Sequence, residues 1–230
     1  MQVCGEKHIK PLYIFIVHLS TAYFPPVSWF AAYVYANEVI IEDSEHYLKQ
    51  TYRNRCSIYS AGGPMDLTVP LVHHAESRAI RSVEISYTSD WQKQHMRALE
   101  SAYRRSPFYE FYLDDLQWVF TSQEKYLFDL NEKILKTIVD ITGLPSHWKF
   151  SGVYCPPGSE GKTDLRYAIH PKSQRSVPVP GYKSPVYTQV FEESHGFHPD
   201  LSILDLLFHC GPDTAAVLRH AILPGSGEFF

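Results

Sequence analysis

Residues 13–42, with the sequence YIFIVHLSTAYFPPVSWFAAYVYANEVIIE, decide the fold. The apolar run Tyr13–Leu19 is typical of a buried strand. Pro26 suits the first position of a helix, because that position leaves its backbone N–H unpaired and proline has none. The helix is expected to end at Asn37, and Val39–Glu42 indicates a second strand. A strand, a crossover helix and a strand form a βαβ unit, so the two strands are predicted to be parallel neighbours.

The next segments predict three further short strands. Cys56–Tyr59 and Leu67–Val72 are joined through the break Gly62-Gly63-Pro64, as in a hairpin. Residues 80–85 place apolar side chains at Ile80, Val83 and Ile85 and indicate another strand. Together with the βαβ unit, these strands predict an α/β fold with a mixed, partly parallel sheet.

The middle of the chain is predicted to be helical. A capping box made by Ser89 and Gln92 opens a helix over residues 90–105. A second box, Thr121 with Glu124, precedes a helix over residues 127–141, whose apolar residues recur at spacings of three and four. Gly143 closes that helix.

The length of 230 residues predicts a single domain, residues 1–230. Two C-terminal helices, Ser202–Phe208 and Pro212–Leu223, are expected to end it. Its predicted parts are a sheet-rich α/β part (1–88), a helical part (89–145), a loop-rich basic segment (146–200) and the C-terminal helices (201–230).

Composition indicates a folded protein and excludes several classes. Apolar residues make up 44% of the chain, which is enough for a core, and the net charge of −4 argues against a protein that coats nucleic acid. No apolar run reaches the roughly 18–20 residues of a membrane span. The four cysteines are 52 or more residues apart, so neither a zinc motif nor a disulfide scaffold is predicted. We expect a cytoplasmic protein without a metal site, and the sequence identifies no cofactor.

Polar side chains follow the two predicted parallel strands. The carboxyl ends of parallel strands share one edge of the sheet, where ligands of open α/β sheets bind. The hydroxyls favour an anion such as phosphate, and the carboxylates could hold a metal or a sugar hydroxyl; alternatively, these are ordinary polar loop residues. The side chains concerned are His18, Ser20, Thr21 and Tyr23 after the first strand and Glu42, Asp43 and Glu45 after the second.

Two basic segments are candidates for binding an anionic substrate. Residues 49–55, KQTYRNR, hold three cations and no acid, and as a strand they would place Lys49, Arg53 and Arg55 on one face. The alternative is a solvated edge. Leu165–Phe191 contains no acidic residue and is rich in proline, which predicts a lid or mobile segment. From these segments we select Lys49, Tyr52, Arg53, Asn54, Arg55, Arg166 and Lys172 as binding residues.

One helical face carries Trp91, His95, Leu99 and Tyr103 at spacings of four. His95 could act as a general base near neutral pH, although a helical histidine beside apolar residues is more often structural. Trp91 and Tyr103 are candidate substrate contacts on that face. The three catalytic candidates are therefore His95, Glu45 and His18.

Several motifs in this order resemble the WbqC-like family. They are STAYFPP from Ser20, YLKQTYRNRC from Tyr47, LTVP from Leu67, WQKQH from Trp91, AYRRSPF from Ala102, FDLN from Phe128, QVF from Gln189 and LSILDLLF from Leu201. The resemblance covers nearly the whole chain. It implies a role in bacterial surface polysaccharide (O-antigen) synthesis, with transfer of an amino acid such as glycine onto an amino sugar.

Three functions follow as hypotheses. The first is a transferase that acts on a nucleotide-linked sugar, with no nucleic-acid partner and no membrane span. The second is a non-catalytic protein that holds a glycan or a partner on the aromatic segment Phe108–Tyr112, which would require those rings to be exposed. The third is a nucleotidyl- or adenylate-forming enzyme, suggested by the layout of the first 45 residues.

Overall fold

The larger of two sheets has four strands, β1 (Ile16–Ser20), β2 (Glu38–Glu42), β5 (Trp148–Phe150) and β6 (Thr163–Asp164). They lie in the order β5-β2-β1-β6, and every pair is parallel. The structure is a computed structural model that describes residues 15–73, 75, 78–158, 161–172, 176–177 and 179–222. The predicted parallel pairing of the first two strands is confirmed, although Tyr13 and Ile14 lie outside the described residues.

Helix α1 (Val27–Tyr35) is the crossover between β1 and β2, as predicted. Pro26 precedes the first helical residue instead of occupying it. The carboxylate of Asp200 serves as the N-terminal cap, since its Oδ1 accepts a hydrogen bond from the Ser28 N–H at 2.7 Å. The cap therefore comes from a residue far along the chain.

The predicted hairpin forms a separate sheet, so the α/β fold is confirmed without the mixed sheet that was expected. Strand β3 (Arg55–Ser60) pairs antiparallel with β4 (Gly63–Thr68). Gly63 has a φ of +102°, which fits the tight connection. The strand predicted over residues 80–85 is wrong, because Ile80–Ser82 forms a 3₁₀ turn.

The helical middle contains four helices. They are α2 (Trp91–Tyr103), α3 (Tyr109–Leu116), α4 (Trp118–Thr121) and α5 (Leu127–Thr142). The apolar stripe of α5 is buried as predicted, and Gly143 closes the helix with a φ of +66°. Neither predicted capping box forms, because Gln92 bonds to Val119 O at 2.9 Å and Thr121 bonds back to Gln117 O at 3.2 Å.

The chain continues through α6 (Glu192–His195), α7 (Ile203–Cys210), a 3₁₀ turn (Gly211–Asp213) and α8 (Thr214–His220). As expected, the described residues between Leu165 and Phe191 form no helix or strand. Buried apolar side chains form one cluster from Val17 to Ile222. Within the described residues, no helix is long and apolar enough to cross a membrane.

Gly211 directly follows α7 and packs against Phe108, which directly precedes α3, so a substitution there probes this contact. Its φ is +53°, and a Cβ there would lie 2.5 Å from the Phe108 ring. We expect Gly211→Ala to lower the free energy of unfolding by about 2–4 kcal/mol, the sum of backbone strain and overpacking. Gly143 has a similar φ but open space around it, so Gly143→Ala should cost only about 1 kcal/mol. Equal losses in urea denaturation would contradict the predicted clash.

Candidate active site

The carboxyl edge of the parallel sheet gathers ionisable side chains in the interior of the protein. His18 on β1 and Glu42 at the end of β2 are 1% and 0% exposed. Asp164 on β6, the residues after β2 and β6 and the 3₁₀ turn add further charged groups, so that four carboxylates meet three guanidiniums. These groups are Glu42, Asp43, Glu45, Asp164, Arg53, Arg81 and Arg166. The guanidinium of Arg81 is 46% exposed and reaches Asp43 from the surface. Buried charges are rarely left unpaired, and here each one has a partner of opposite sign.

His18 lies beside a carboxylate, and its second nitrogen faces no polar partner. Its Nε2 lies 3.3 Å from Oε2 of Glu42, an ion-pair contact without hydrogen-bond geometry, and Nδ1 has neither a hydrogen bond nor an ion pair among the described residues. A proton on Nε2 faces the carboxylate and leaves a lone pair on Nδ1. A buried nitrogen without a partner costs about 1–3 kcal/mol, so its presence calls for an explanation.

Glu42 is held as an anion. Burial alone would raise the pKa of its carboxyl, but the contact with His18 and hydrogen bonds from the Ser44 N–H and Ser151 outweigh that cost and lower the pKa to about 2. Arg166 Nη1 also donates to Oε2 at 2.6 Å. The carboxylate is therefore fixed in place and in charge at neutral pH, and it lies where it can orient the ring of His18.

Two of the three arginines selected from the basic segments, Arg53 and Arg166, converge, but their charges are already neutralised. The ring of Tyr167 has its centroid 5.9 Å from Arg53 Cζ and 5.5 Å from Arg166 Cζ. Arg53 donates to both oxygens of Glu45 at 2.7 and 2.8 Å, and Arg166 Nε donates to Asp164 at 2.9 Å. With both arginines 1% exposed, a phosphate would have to displace a carboxylate to reach either guanidinium.

The segment 49–55 is a turn and not the predicted strand; only Arg55 enters β3, where it pairs with Asp66 at 3.4 Å. Asn54 donates to Val69 O at 2.8 Å, and burial raises the pKa of Tyr52. Lys172 donates to Gln50 Oε1 at 2.6 Å, so the acid-free segment does contact this turn. Lys49 is exposed.

His95 lies in the core formed by α2, with both ring nitrogens engaged. Nδ1 is 3.0 Å from the Tyr23 hydroxyl, and the ring also bonds to the Thr68 backbone. Burial lowers the pKa of His95 to about 4, which leaves it neutral at pH 7. No hydrogen bond or ion pair joins it to His18, Glu42 or Glu45 among the described contacts, so the geometry gives it no free nitrogen for proton transfer.

The other predicted contacts are also buried. Trp91 and Tyr103 are 2% and 0% exposed, and Tyr103 accepts a hydrogen bond from the Tyr59 N–H at 2.9 Å. Ser20 and Thr21 are buried at the sheet edge. In the aromatic segment 108–112, Tyr109 and Tyr112 are buried, Phe108 is half-buried and only Phe111 is largely exposed, so these rings do not share one exposed face as the glycan-binding hypothesis required.

A large cleft was missed by sequence reasoning. We call it the arginine cleft, because Arg97, Arg104 and Arg105 line it together with His209; its volume is about 1250 Å³. The spacing of these arginines on one face of a helix was the available signal. Of these residues, Arg104 and Arg105 belong to the AYRRSPF motif of the family resemblance, but no binding role was predicted for them.

The described residues include no group of three or more His, Cys, Asp or Glu that could hold a metal ion.

The fold and this edge define an α/β protein with ionisable groups buried at the carboxyl ends of parallel strands. The chain belongs to the WbqC-like protein family, whose model matches residues 21–174 and 172–217. It is 29% identical over 221 residues to the uncharacterised protein Rv1507c of Mycobacterium tuberculosis, covering 86% of this chain and 94% of that protein. No solved structure matches.

Proposed function

We propose that the protein is a cytoplasmic transferase of surface polysaccharide (O-antigen) synthesis, which transfers an aminoacyl group such as glycine, or another acyl group, to a nucleotide-linked amino sugar. Family membership supports this proposal, as does the position of the candidate site at a sheet edge where α/β proteins bind ligands. The observation that carries it is the His18–Glu42 pair, with Nδ1 of the histidine unpartnered.

In the proposed reaction His18 acts as the general base. Its Nδ1 removes a proton from the amino group of the sugar as that group attacks the acyl carbon. The charge that develops on the imidazole is stabilised by Glu42, 3.3 Å away on the Nε2 side. Arg166 and Ser151 hold Glu42 in the required orientation through hydrogen bonds of 2.6 and 2.8 Å. The acyl group must arrive activated, as an adenylate or a thioester, so that the bond to AMP or to the thiol breaks and that group leaves as the amide forms.

The free-energy cost of burying these charges supports a functional role for the cluster at the sheet edge. Burying ionic groups is often less favourable than burying apolar residues of similar volume, so such a cluster is weak evidence for a stabilising role. Here it coincides with the sheet edge and with a histidine whose second nitrogen is unused. The lid that would cover it is the acid-free segment, which packs Leu165 and Ile169 into the core and places Tyr167 over the arginines.

The test is product formation by wild-type protein and His18→Gln. Each is incubated with a panel of nucleotide-linked amino sugars and either glycine with ATP or an acyl-CoA, and mass spectrometry detects the amide. We expect His18→Gln to lower the rate by about 10²–10⁴-fold, which is the range of general-base catalysis. The exposed His220, which bonds only to Ala216 O among the described residues, provides the control His220→Gln. Equal rates for all three proteins, or no amide with any substrate pair, would contradict the proposal.

A further inference from the structure

We propose that the arginine cleft binds a sugar phosphate, with the arginines on the phosphate and His209 on a sugar hydroxyl. This inference goes beyond the proposed function and stands independently of it. The cleft shares no lining residue with the cluster at the sheet edge. Its residues are Ala61, Arg97, Glu100, Ser101, Ala102, Arg104, Arg105, Ser106, Pro107, Thr188, Gln189, Val190, Phe191, Glu192, Glu193 and His209.

One wall of the cleft supplies positive charge that the described protein does not neutralise. Arg97 lies on α2, Arg104 and Arg105 directly follow its last residue, Tyr103, and all three line the cleft. All three are exposed, and their guanidiniums form no hydrogen bond or ion pair with any described residue. This differs from the sheet edge, where both arginines selected from the sequence are already paired. Guanidinium groups suit phosphate because they donate two parallel hydrogen bonds.

The other charges that face the cleft are acidic. Glu192 and Glu193 come from α6, and Glu100 lies on α2 among the arginines. A ligand that carried only negative charge would meet repulsion on the α6 side. A ligand with a phosphate at one end and hydroxyl groups at the other matches both walls, because carboxylates accept hydrogen bonds from sugar hydroxyls.

His209 supplies a second observation that points to a ligand. Its side chain is only 6% exposed, and its Nε2 has no hydrogen-bond partner among the described residues. The other nitrogen, Nδ1, lies 2.7 Å from the backbone oxygen of Asp205. That contact requires a proton on Nδ1 and leaves a lone pair on Nε2, which can accept a hydrogen bond from a hydroxyl group.

The residue that His209 contacts, Asp205, belongs to a buried hydrogen-bond network. The carboxylate of Asp205 is 0% exposed and accepts hydrogen bonds from Tyr187 at 2.7 Å and from Gln189 at 2.8 Å. Gln189 also bonds to both backbone groups of His198 and lines the cleft. The rings of Tyr103 and Tyr187 lie 5.9 and 6.2 Å from that of His209. The acceptor is thus held in place before a ligand arrives.

The experiment is calorimetric titration of the full chain with glucose 1-phosphate and with inorganic pyrophosphate. Wild-type protein is expected to bind glucose 1-phosphate, and to bind pyrophosphate more weakly because Glu192 and Glu193 repel its second phosphate. The double variant Arg104→Gln/Arg105→Gln should lose at least tenfold in affinity for both probes. His209→Gln should weaken glucose 1-phosphate about tenfold and leave pyrophosphate unchanged, since only the sugar carries a hydroxyl for Nε2.

The matched control is Arg219→Gln, which removes an exposed arginine of α8 outside the cleft and should leave both affinities unchanged. Thermal unfolding verifies that each variant is folded. His18→Gln should bind both probes like wild type, which separates this inference from the proposed transferase reaction. Absence of binding to wild type, an equal effect of Arg219→Gln, or a loss of pyrophosphate in His209→Gln equal to that of the sugar phosphate would overturn the proposal.

Discussion

Replacing Arg166 by leucine is expected to lower the free energy of unfolding by about 3–5 kcal/mol, the range for breaking a buried ion pair by removing one partner. The guanidinium is buried, donates to Glu42 at 2.6 Å and to Asp164 at 2.9 Å, and is the cation that both carboxylates share. Without it, two anions stay in the protein interior with fewer donors. Urea denaturation of wild type and Arg166→Leu measures the loss.

The control is Arg78→Leu. Arg78 pairs with Glu84 at 3.2 Å, but both side chains are more than one-third exposed, so the loss should stay below about 1 kcal/mol. The triple variant Arg166→Leu/Glu42→Gln/Asp164→Asn should recover part of the stability, because it removes the unpaired charges as well. A loss in Arg166→Leu no greater than that in Arg78→Leu would show that the cluster is hydrated and not buried.

The parallel β1–β2 pair could be predicted because its signals are local, whereas β5 and β6, which complete that sheet, lie in the segment predicted to be loop-rich. Tyr13–Leu19, the proline before α1 and Val39–Glu42 each carry a pattern within a few residues, and the βαβ rule then determines the direction of the second strand. The sequence signals for the apolar face of α5 and for its end at Gly143 also lie within a few residues. The same reasoning located the sheet edge and predicted that His18 and Glu42 lie there together.

The ion pairing at that edge could not be predicted. Arg166 and Glu42 are 124 residues apart in the chain, and no spacing rule connects them. Arg53 was selected for its charge, but a basic stretch indicates only that cations are present and not which carboxylates the fold brings to them. Even the pairing with Glu45, eight residues away, depends on a turn that was taken for a strand.

The capping boxes failed for a related reason. Ser89–Gln92 and Thr121–Glu124 match the pattern, but tertiary contacts offered their side chains other partners, such as Val119 O for Gln92. His95 is a similar case, since the face it shares with Trp91 proved to be core. Spacing alone does not distinguish a buried histidine from a catalytic one, because both require the same helical periodicity.

The buried state of His95 should appear as a pH dependence of stability. Burial lowers its pKa from 6.5 to about 4, so the unfolded chain takes up the proton first as the pH falls. The stability contributed by the neutral ring is therefore complete above about pH 6.5 and is lost between that pH and about 4. The loss amounts to about 3 kcal/mol at 1.4 kcal/mol per pKa unit.

His95→Gln isolates this effect, because its amide can accept from the Tyr23 hydroxyl and donate to the Thr68 backbone but does not titrate. Burial raises the pKa of Asp200 to about 6, so this carboxyl takes up its proton in the same pH range and makes the folded state more stable as the pH falls. Because Asp200 is present in both proteins, its contribution cancels when the two stabilities are subtracted. The stability of wild type minus that of the variant, from urea denaturation between pH 7.5 and about 4, should fall by about 3 kcal/mol. A constant difference would mean that His95 titrates normally, and its role as a general base would then deserve renewed consideration.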